Sequence, residues 1–398
     1  MTFITILMWG EYLRGHFIFN FPWNLIGYGL YRIPAFLQMT SLVGIYGLTY
    51  FFLAVAILPI LIWKTKGTVT SIITSFLLIF ILAGTFLFGY LRIQSAPAHE
   101  ENKAIAIQII HPDISQIEKL ESHSEEDLIQ KYIRLTQDTG GITAPQTISI
   151  WPENSLSLYQ NRSHIPLRSL TKNLPDKSYI LMGAERIFPK AGGKANSFNS
   201  LIALNHNGNI IADYNKHILV PWGESLPYES IFGQNLSKTI FKNKQFTTAG
   251  DGADVLKIAG IPSFAPQICY ETAYSGYTPH GTERPEFIVA VSNDNWAEYT
   301  TQPHQAFVQT QVRAIEEGLP ILRSANKGIS AIIDPYGRPL QQLGTDIAGT
   351  INGYLPNAIP QTFYAQYRDK PFLIFMGILT VIPTFAIAYR SKRTKSEL

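Results

Sequence analysis

Apolar residues form long unbroken runs near both ends of the chain and short runs between them. Three stretches contain no charged residue: 33–63, 67–91 and 371–389. Each is long enough to cross the hydrocarbon core of a bilayer, which takes a helix of about 20 residues. The pattern therefore predicts membrane-spanning helices over about 39–63, 67–91 and 371–389.

The extreme N-terminus, 2–21, is apolar apart from Glu11 and Arg14. A helix places residues three apart on one face. We expect a fourth span whose charged face contacts protein or water, because charges that face lipid are costly. The segment lacks the basic start and small-residue cleavage site of a signal peptide.

Between the apolar ends, short apolar runs alternate with amphipathic segments, which is typical of an α/β sheet protein. The predicted strands are 104–110, 147–151, 264–269 and 287–291; the predicted hairpins are 201–214 and 329–340; the predicted helices are 117–136 and 304–317. Glu153 follows one strand directly, and Pro152 is expected to end that strand.

The distribution of basic residues predicts how the chain is oriented in the membrane. The net charge is +3, and the tail 390–398 holds four basic residues and one acidic residue. Basic loops stay in the cytoplasm, so the tail and Lys64 with Lys66 are predicted to be cytoplasmic. The expected organisation is a transmembrane region at 1–95, an extracytoplasmic domain at 96–370, a C-terminal span at 371–389 and a cytoplasmic tail at 390–398 that contacts lipid headgroups.

Composition excludes several classes. Only 15% of residues are charged, against about 25% in soluble domains, and the small net charge argues against nucleic acid as a partner. A single cysteine excludes an intramolecular disulfide and a cysteine-rich zinc site, and no HExxH motif occurs among the nine histidines. We therefore expect neither a metal nor a cofactor.

Three polar residues lie at predicted strand ends: Glu153, Lys216 and Cys269. Each has an ordinary interpretation alone, as a solvated carboxylate, a charged guard of a sheet edge and a small buried apolar residue. A nucleophilic thiol, however, requires a base to take its proton and a cation to stabilise negative charge. One Cys, one Glu and one Lys at three strand ends are therefore a more specific indication of a reactive thiol than any of the three alone.

The motifs around these residues resemble those of the nitrilase superfamily. They are Trp151-Pro152-Glu153, the stretch 214–224 (YNKHILVPWGE) and Ile268-Cys269-Tyr270-Glu271. Flanking segments narrow the resemblance to the apolipoprotein N-acyltransferase family: Phe21-Pro22-Trp23, Asn293-Asp294 followed by Trp296, and 314–338.

The resemblance implies a nitrilase-like αββα sandwich on a transmembrane helical bundle, in a multi-pass protein of the bacterial inner membrane with a periplasmic catalytic domain. It implies transfer of an acyl chain from a phospholipid to the N-terminal amine of a diacylglyceryl-cysteine lipoprotein, through a thioester. Glu153 would be the base, Cys269 the nucleophile and Lys216 the cation at the oxyanion. The implied supporting residues are Tyr270, Glu224, Glu271 and Asn199, and the implied substrate-gating residues are Trp23, Trp222 and Trp296.

The chain departs from that family in places. Four spans are fewer than the family's usual number, so we expect an N-terminal truncation. His111 and Asp113 stand where the family more often has Gln and Asn. Two alternatives stay open at this stage: a membrane-tethered nitrilase-type amidase that uses water as the acceptor, and an inactive truncated remnant.

Overall fold

A computed structural model describes most of the chain, namely residues 2–97, 101–115, 118, 125–162, 166–190, 195–226, 246–279, 284–297 and 299–382. The predicted tail at 390–398 and the end of the last predicted span lie outside these residues. The chain forms two compact units. A helical unit comprises Met1–Ala96, Ile315–Glu317 and Gln361–Leu398, and a sheet unit comprises Pro97–Ala314 and Gly318–Pro360.

The described helices include two long apolar ones in the N-terminal quarter of the chain and shorter ones elsewhere. They are α1 (Thr2–Leu13), α2 (Pro34–Leu37), α3 (Thr40–Lys64), α4 (Val69–Gln94), α5 (Glu125–Gln137), α6 (Leu167–Thr171), α7 (Gln302–Glu317), α8 (Phe363–Tyr367) and α9 (Lys370–Ile382).

Two of these helices, α3 and α4, are long and apolar enough to cross a membrane, judged by length and composition. They occupy the predicted spans 39–63 and 67–91. The N-terminal segment differs from the prediction of one long span, because α1 has 12 residues and gives way to a π-helical turn at Arg14–Ile18. Helix α9 is a shorter apolar helix within the described residues.

Helix α3 is broken near its start. Gly44 has φ 65° and ψ 177°, and a Cβ on it would lie 2.3 Å from the ring of Tyr364. Only glycine combines this backbone conformation with such a close neighbour. The next amide, Ile45 N–H, donates to a carboxylate oxygen of Glu316 at 2.8 Å. A buried carboxylate therefore caps the second part of α3, where the helix dipole favours negative charge.

Within its described residues, the sheet unit contains eleven strands in two sheets. They are β1 (Glu101–His111), β2 (Gln146–Tyr159), β3 (Ser178–Pro189), β4 (Ala195–Asn205), β5 (Ile210–Asn215), β6 (Phe264–Ile268), β7 (Phe287–Asn293), β8 (Ile321–Asn326), β9 (Ser330–Ile333), β10 (Pro339–Leu343) and β11 (Gly349–Pro356). The first sheet has the order β11-β1-β2-β3-β4-β5, and the second has the order β10-β9-β8-β7-β6. Strands β1 to β3 and β6 to β8 run parallel within their sheets.

The two sheets face each other across an apolar core that includes Ile107, Ile150, Phe264 and Val289. The other face of the first sheet packs against α5 and α6, and the other face of the second sheet packs against α7. Alternate residues along each strand thus enter different cores, as the period of two requires. The layers are helix, sheet, sheet and helix, so the predicted nitrilase-like α/β fold is confirmed.

Strand β2 corrects one prediction. Pro152 does not end the strand, which continues to Tyr159. Instead, pairing with β3 shifts between Trp151 and Leu156, and Asn154 has φ 55°. Proline is tolerated at such a bulge, because the N–H that it lacks would have no partner in the ladder. The predicted helix at 117–136 is described only from Glu125 onward, and no strand was predicted for β3, β8 or β11.

Candidate active site

The bulge in β2 carries Glu153 and turns its carboxylate away from the regular ladder. The side chain is 4% exposed. Oε1 accepts a hydrogen bond from Asn199 Nδ2 at 2.6 Å, and Oε2 accepts one from the backbone N–H of Asn293 at 2.7 Å. Asn199 lies on β4 of the first sheet and Asn293 ends β7 of the second, so both sheets hold this carboxylate.

Lys216 follows β5 directly and is 1% exposed. Its Nζ lies 2.8 Å from Glu224 Oε2 and 3.5 Å from Glu153 Oε1. Asn199 Nδ2 also donates to Glu224 Oε1 at 3.1 Å. One ammonium and one amide thus sit between two carboxylates, which offsets the cost of burying three charges.

Cys269 is the first residue after β6 and begins a 3-10 turn, Cys269–Ala273. Its φ is 50°, in the left-handed region that residues other than glycine rarely adopt. The residue is half-buried. Such strain persists only where the surrounding structure imposes it, and it is concentrated at functional sites.

The three predicted catalytic residues interact electrostatically. Burial raises the pKa of the Cys269 thiol, the carboxylate of Glu153 raises this pKa further, and the ammonium of Lys216 acts to lower it. Burial also raises the pKa of Glu153, against the opposing effect of Lys216. The thiol is therefore neutral at rest, and the neighbouring carboxylate is a stronger proton acceptor than an exposed one.

Lys216 keeps its charge in this setting. Burial acts to lower its pKa, but the carboxylates of Glu153 and Glu224 outweigh burial and raise the pKa above its ordinary value. The site therefore holds a permanent cation beside a neutral thiol. A negative charge that forms next to that cation would be stabilised strongly in this poorly hydrated environment.

Glu271 connects the segment that carries Cys269 to the segment that carries Lys216. Its Oε2 accepts the N–H of Ile268 at 2.7 Å, and its Oε1 accepts the N–H of His217 at 2.8 Å. The hydroxyl groups of Tyr214 and Tyr277 also donate to Oε1, at 2.6 and 2.9 Å. Burial raises the pKa of Glu271 although these hydrogen bonds oppose it.

Sequence reasoning missed the two tyrosines at Glu271. Tyr214 lies inside the stretch around Lys216, where its register on β5 could have suggested an inward side chain. Tyr277 has no comparable signal in the sequence. Both tyrosines matter because a buried carboxylate needs several donors to remain charged.

The remaining predicted residues lie in different places. Tyr270 is buried beside Cys269, and its ring contacts Tyr274 edge-on. Trp222 is 57% exposed and Trp296 is 70% exposed; Trp222 lies two residues before Glu224, and Trp296 lies three residues after Asn293. Trp23 belongs to the helical unit. Within the described part of the chain, no group of three or more His, Cys, Asp or Glu residues could hold a metal ion.

Two family models match the chain. One, described as Carbon-nitrogen hydrolase, matches residues 122–359, and it therefore covers all three candidate catalytic residues. The other, described as Apolipoprotein N-acyltransferase N-terminal domain, matches residues 1–58.

Individual proteins extend this similarity. An apolipoprotein N-acyltransferase of Bradyrhizobium diazoefficiens is 32% identical over 94% of this chain and 70% of its own length. One of Agrobacterium fabrum is also 32% identical, over 96% of this chain and 72% of its own length. Among solved structures, Nit3 of Saccharomyces cerevisiae, a member of branch 10 of the nitrilase superfamily, aligns with a TM-score of 0.45 and 14% identity over 67% of this chain and 94% of its own.

Proposed function

This chain belongs to the apolipoprotein N-acyltransferase family, and we propose that Glu153, Lys216 and Cys269 carry out its reaction. The function is N-acylation of lipoproteins. One observation supports this assignment above the others: a buried ammonium lies 3.5 Å from the carboxylate of Glu153, and both groups act electrostatically on the thiol of Cys269. These contacts support assigning the three proposed roles of base, cation and nucleophile to one site.

In the first half-reaction, Cys269 Sγ attacks the carbonyl carbon of a phospholipid ester while Glu153 takes the thiol proton. The carbonyl oxygen becomes an oxyanion, which Lys216 and the backbone N–H of Tyr270 stabilise. The bond from carbon to the glycerol oxygen then breaks, and Glu153 returns the proton to that oxygen. The products are a lysophospholipid and a thioester on Cys269.

In the second half-reaction, the neutral N-terminal amine of the diacylglyceryl-cysteine lipoprotein attacks the thioester carbonyl. Glu153 takes a proton from the attacking nitrogen, the carbon–sulfur bond breaks, and the proton passes to Cys269 as the thiol reforms. An amide replaces the thioester, and the enzyme returns to its resting state. This is a ping-pong sequence that needs no metal or cofactor.

The supporting residues take roles that follow from their contacts. Asn199 orients Glu153 and Glu224 through one amide nitrogen, and Glu224 holds Lys216. Glu271 fixes the Cys269 turn against the backbone that follows Lys216. None of these three needs to exchange a proton with the substrate.

The exposed tryptophans are proposed to contact acyl chains. Trp222 and Trp296 each lie within three residues of a group that contacts the proposed triad, yet both rings are mostly exposed. Large exposed aromatic rings favour amphipathic surroundings such as lipid. We assign Trp23 the same gating role on the family resemblance.

The two long apolar helices, α3 and α4, support attachment of the chain to a membrane. We further propose that 1–95 and 371–389 span the inner membrane in several passes, that 390–398 is a cytoplasmic tail, and that 96–370 is a periplasmic catalytic domain. Tethering on both sides would confine the enzyme to the plane in which both lipid substrates lie, and this raises the chance of productive encounter.

A mass measurement tests the proposal. The purified protein is mixed in detergent with phospholipid, and its intact mass is followed before and after addition of a diacylglyceryl-cysteine peptide. We expect Cys269 to gain one acyl mass and then to lose it as the peptide gains it, whereas Cys269→Ala gains none. Free fatty acid without peptide acylation would support the amidase-type alternative, and no acyl-enzyme in the wild type would support the inactive remnant.

A further inference from the structure

The proposed base and nucleophile lie on different sheets. Glu153 belongs to the first sheet through β2, and Cys269 belongs to the second through β6. The distance between a base and the thiol that it deprotonates must hold to a fraction of an ångström for efficient proton transfer. The contacts that fix one sheet against the other near this site therefore bear on the chemistry.

Polar contacts join the sheets at the end of β1, where residues 110–114 meet residues 324–330 of the second sheet; we name these two segments the inter-sheet seam. Side-chain contacts across it are Ser324 Oγ to Ile110 O at 2.8 Å, Ser330 Oγ to His111 Nδ1 at 2.7 Å, Lys327 Nζ to Asp113 Oδ1 at 3.0 Å, Ile114 N to Asn326 Oδ1 at 2.8 Å and Asn326 Nδ2 to Ile114 O at 2.9 Å.

One member of the seam also reaches the active site. Asn326 is 1% exposed, and its Nδ2 donates to Asn293 Oδ1 at 3.0 Å as well as to Ile114 O. Asn293 in turn donates its backbone N–H to Glu153 Oε2 at 2.7 Å. A continuous path of hydrogen bonds thus runs from the end of β1 through Asn326 and Asn293 to the proposed base.

Two residues of the seam have backbone conformations that the surrounding structure must maintain. Asp113 has φ 51° and Lys327 has φ 57°, both in the left-handed region. Residues other than glycine adopt this region at a cost in free energy, which is smaller for aspartate than for lysine. Their ion pair at 3.0 Å, with both side chains largely buried, offsets that cost and keeps Asn326 between its partners.

We propose that Asn326 is a positioning residue for Glu153: it sets where the Asn293 N–H meets the carboxylate, and the Asp113–Lys327 ion pair holds Asn326 in place. This inference rests on the proposed function for the role of Glu153 as the base. Asn326 touches no reacting atom. Its effect passes through the hydrogen bond that stabilises the ionised form of Glu153.

The test uses the sole thiol of the chain, because Cys269 can be alkylated by iodoacetamide without any lipid. The rate of alkylation is measured against pH by intact mass. The charged and titratable groups around Glu153 are Lys216, Glu224 and Cys269. The Glu153→Gln variant serves as a reference. The part of the acid limb that disappears in this variant is the part that reports the titration of Glu153.

Two variants of Asn326 test its role. Asn326→Asp keeps the acceptor for Ile114 N–H but replaces the donor to Asn293, and Asn326→Ser weakens the same contact without adding charge. Without the Asn326 donor, Asn293 is less well held, so the hydrogen bond from its N–H to the Glu153 carboxylate weakens and the pKa of Glu153 rises. We expect both variants to move the acid limb to higher pH, by about one unit, and to slow thioester formation from phospholipid about tenfold at neutral pH.

Gln108→Glu is the matched control. Gln108 is also a buried amide, 3% exposed, and it donates to the backbone carbonyl of Asp138 at 2.7 Å and accepts from the Ser149 hydroxyl. The hydrogen bonds that hold Glu153 come from Asn199 and Asn293 instead. This variant should lose similar thermal stability and keep the wild-type acid limb. The inference is overturned if the acid limb shifts in Asn326→Asp but not in Asn326→Ser, or if it shifts equally in Gln108→Glu. It is also overturned if the folded Asn326 variants keep the wild-type acid limb.

Failure of the proposed function is separable from failure of this inference. If the wild type gains no acyl mass from phospholipid, the proposed function is overturned, while the alkylation profiles still decide whether Asn326 positions Glu153. If Asn326→Asp does not fold, Asn326→Ser supplies the result. Acyl transfer with unshifted profiles in the variants leaves the proposed function standing and overturns the inference.

Discussion

Replacing Lys216 by methionine should destabilise the protein in a pH-dependent way. The side chain is 1% exposed, and its Nζ lies 2.8 Å from Glu224 and 3.5 Å from Glu153. Methionine keeps most of the volume but leaves two carboxylates without their cation. Removing one partner of a buried ion pair costs about 3–5 kcal/mol, which is expected to lower the Tm by about 10 °C for a domain of this size.

The sign of the pH dependence follows from the carboxylates. Lys216 acts to lower the pKa of Glu153 and Glu224 acts to raise it, so removing the lysine raises the pKa of Glu153 further. A carboxyl group with a folded-state pKa above its unfolded value binds more protons when folded, and stability then falls as pH rises between the two values. Lys216→Met should therefore lose more stability at pH 8 than at pH 5.

The assay is thermal unfolding of the purified protein in detergent at pH 5 and pH 8, beside wild type and Lys131→Met. Lys131 pairs with Glu118 at 2.9 Å, but both side chains are partly exposed. Such a pair contributes about 0–1 kcal/mol, so this control should change the Tm by no more than about 2 °C. An equal loss of Tm at both pH values, or a loss no larger than that of Lys131→Met, would refute the reasoning.

Three further predictions concern other parts of the chain. Glu271→Gln should lower the unfolding free energy by about 3 kcal/mol and slow thioester formation, because the amide nitrogen of the new glutamine would face N–H or O–H donors. Thermal unfolding measures the first effect and acyl-enzyme mass the second, and a wild-type rate of thioester formation would contradict the prediction. Gly44→Ala should destabilise the helical unit by more than 1 kcal/mol, through the Tyr364 ring and the positive φ, whereas Gly84→Ala, which meets nothing within 4 Å, should be neutral or stabilising; equal melting curves would argue against the broken helix. Trp296→Ala should leave the iodoacetamide reactivity of Cys269 unchanged but slow acyl transfer from long-chain phospholipid about tenfold more than from a short-chain ester, and a uniform effect would exclude acyl-chain contact.

Local patterns predicted the elements that carry the site. The apolar runs 147–151 and 264–269 correspond to β2 and β6, and the hairpin predicted at 201–214 corresponds to β4 and β5. Strands of parallel sheets carry functional groups at their carboxyl ends, so placing three polar residues at strand ends was enough to suggest one site. The catalytic roles themselves remain predictions.

Long-range contacts could not be predicted in this way. Asn326 binds Ile114 across 212 residues of sequence, and Glu316 caps Ile45 across 271. Neither partner carries a local signal for the other, because periodicity reports only which face of an element is apolar. The bulge at Pro152 was missed for a related reason: proline excludes a regular ladder position, but it does not reveal whether a strand resumes beyond it.

Division of the proposed site between two sheets also bears on the order in which the site forms during synthesis. Glu153 and Cys269 are separated by more than a hundred residues, and strands β7 to β10, which complete the second sheet, come later still in the chain. A polypeptide emerging during synthesis therefore carries Cys269 before its second sheet is complete, and non-local sheet contacts form slowly. On the proposed mechanism, a chain whose second sheet is incomplete therefore lacks the fixed geometry between Glu153 and Cys269 that acylation requires.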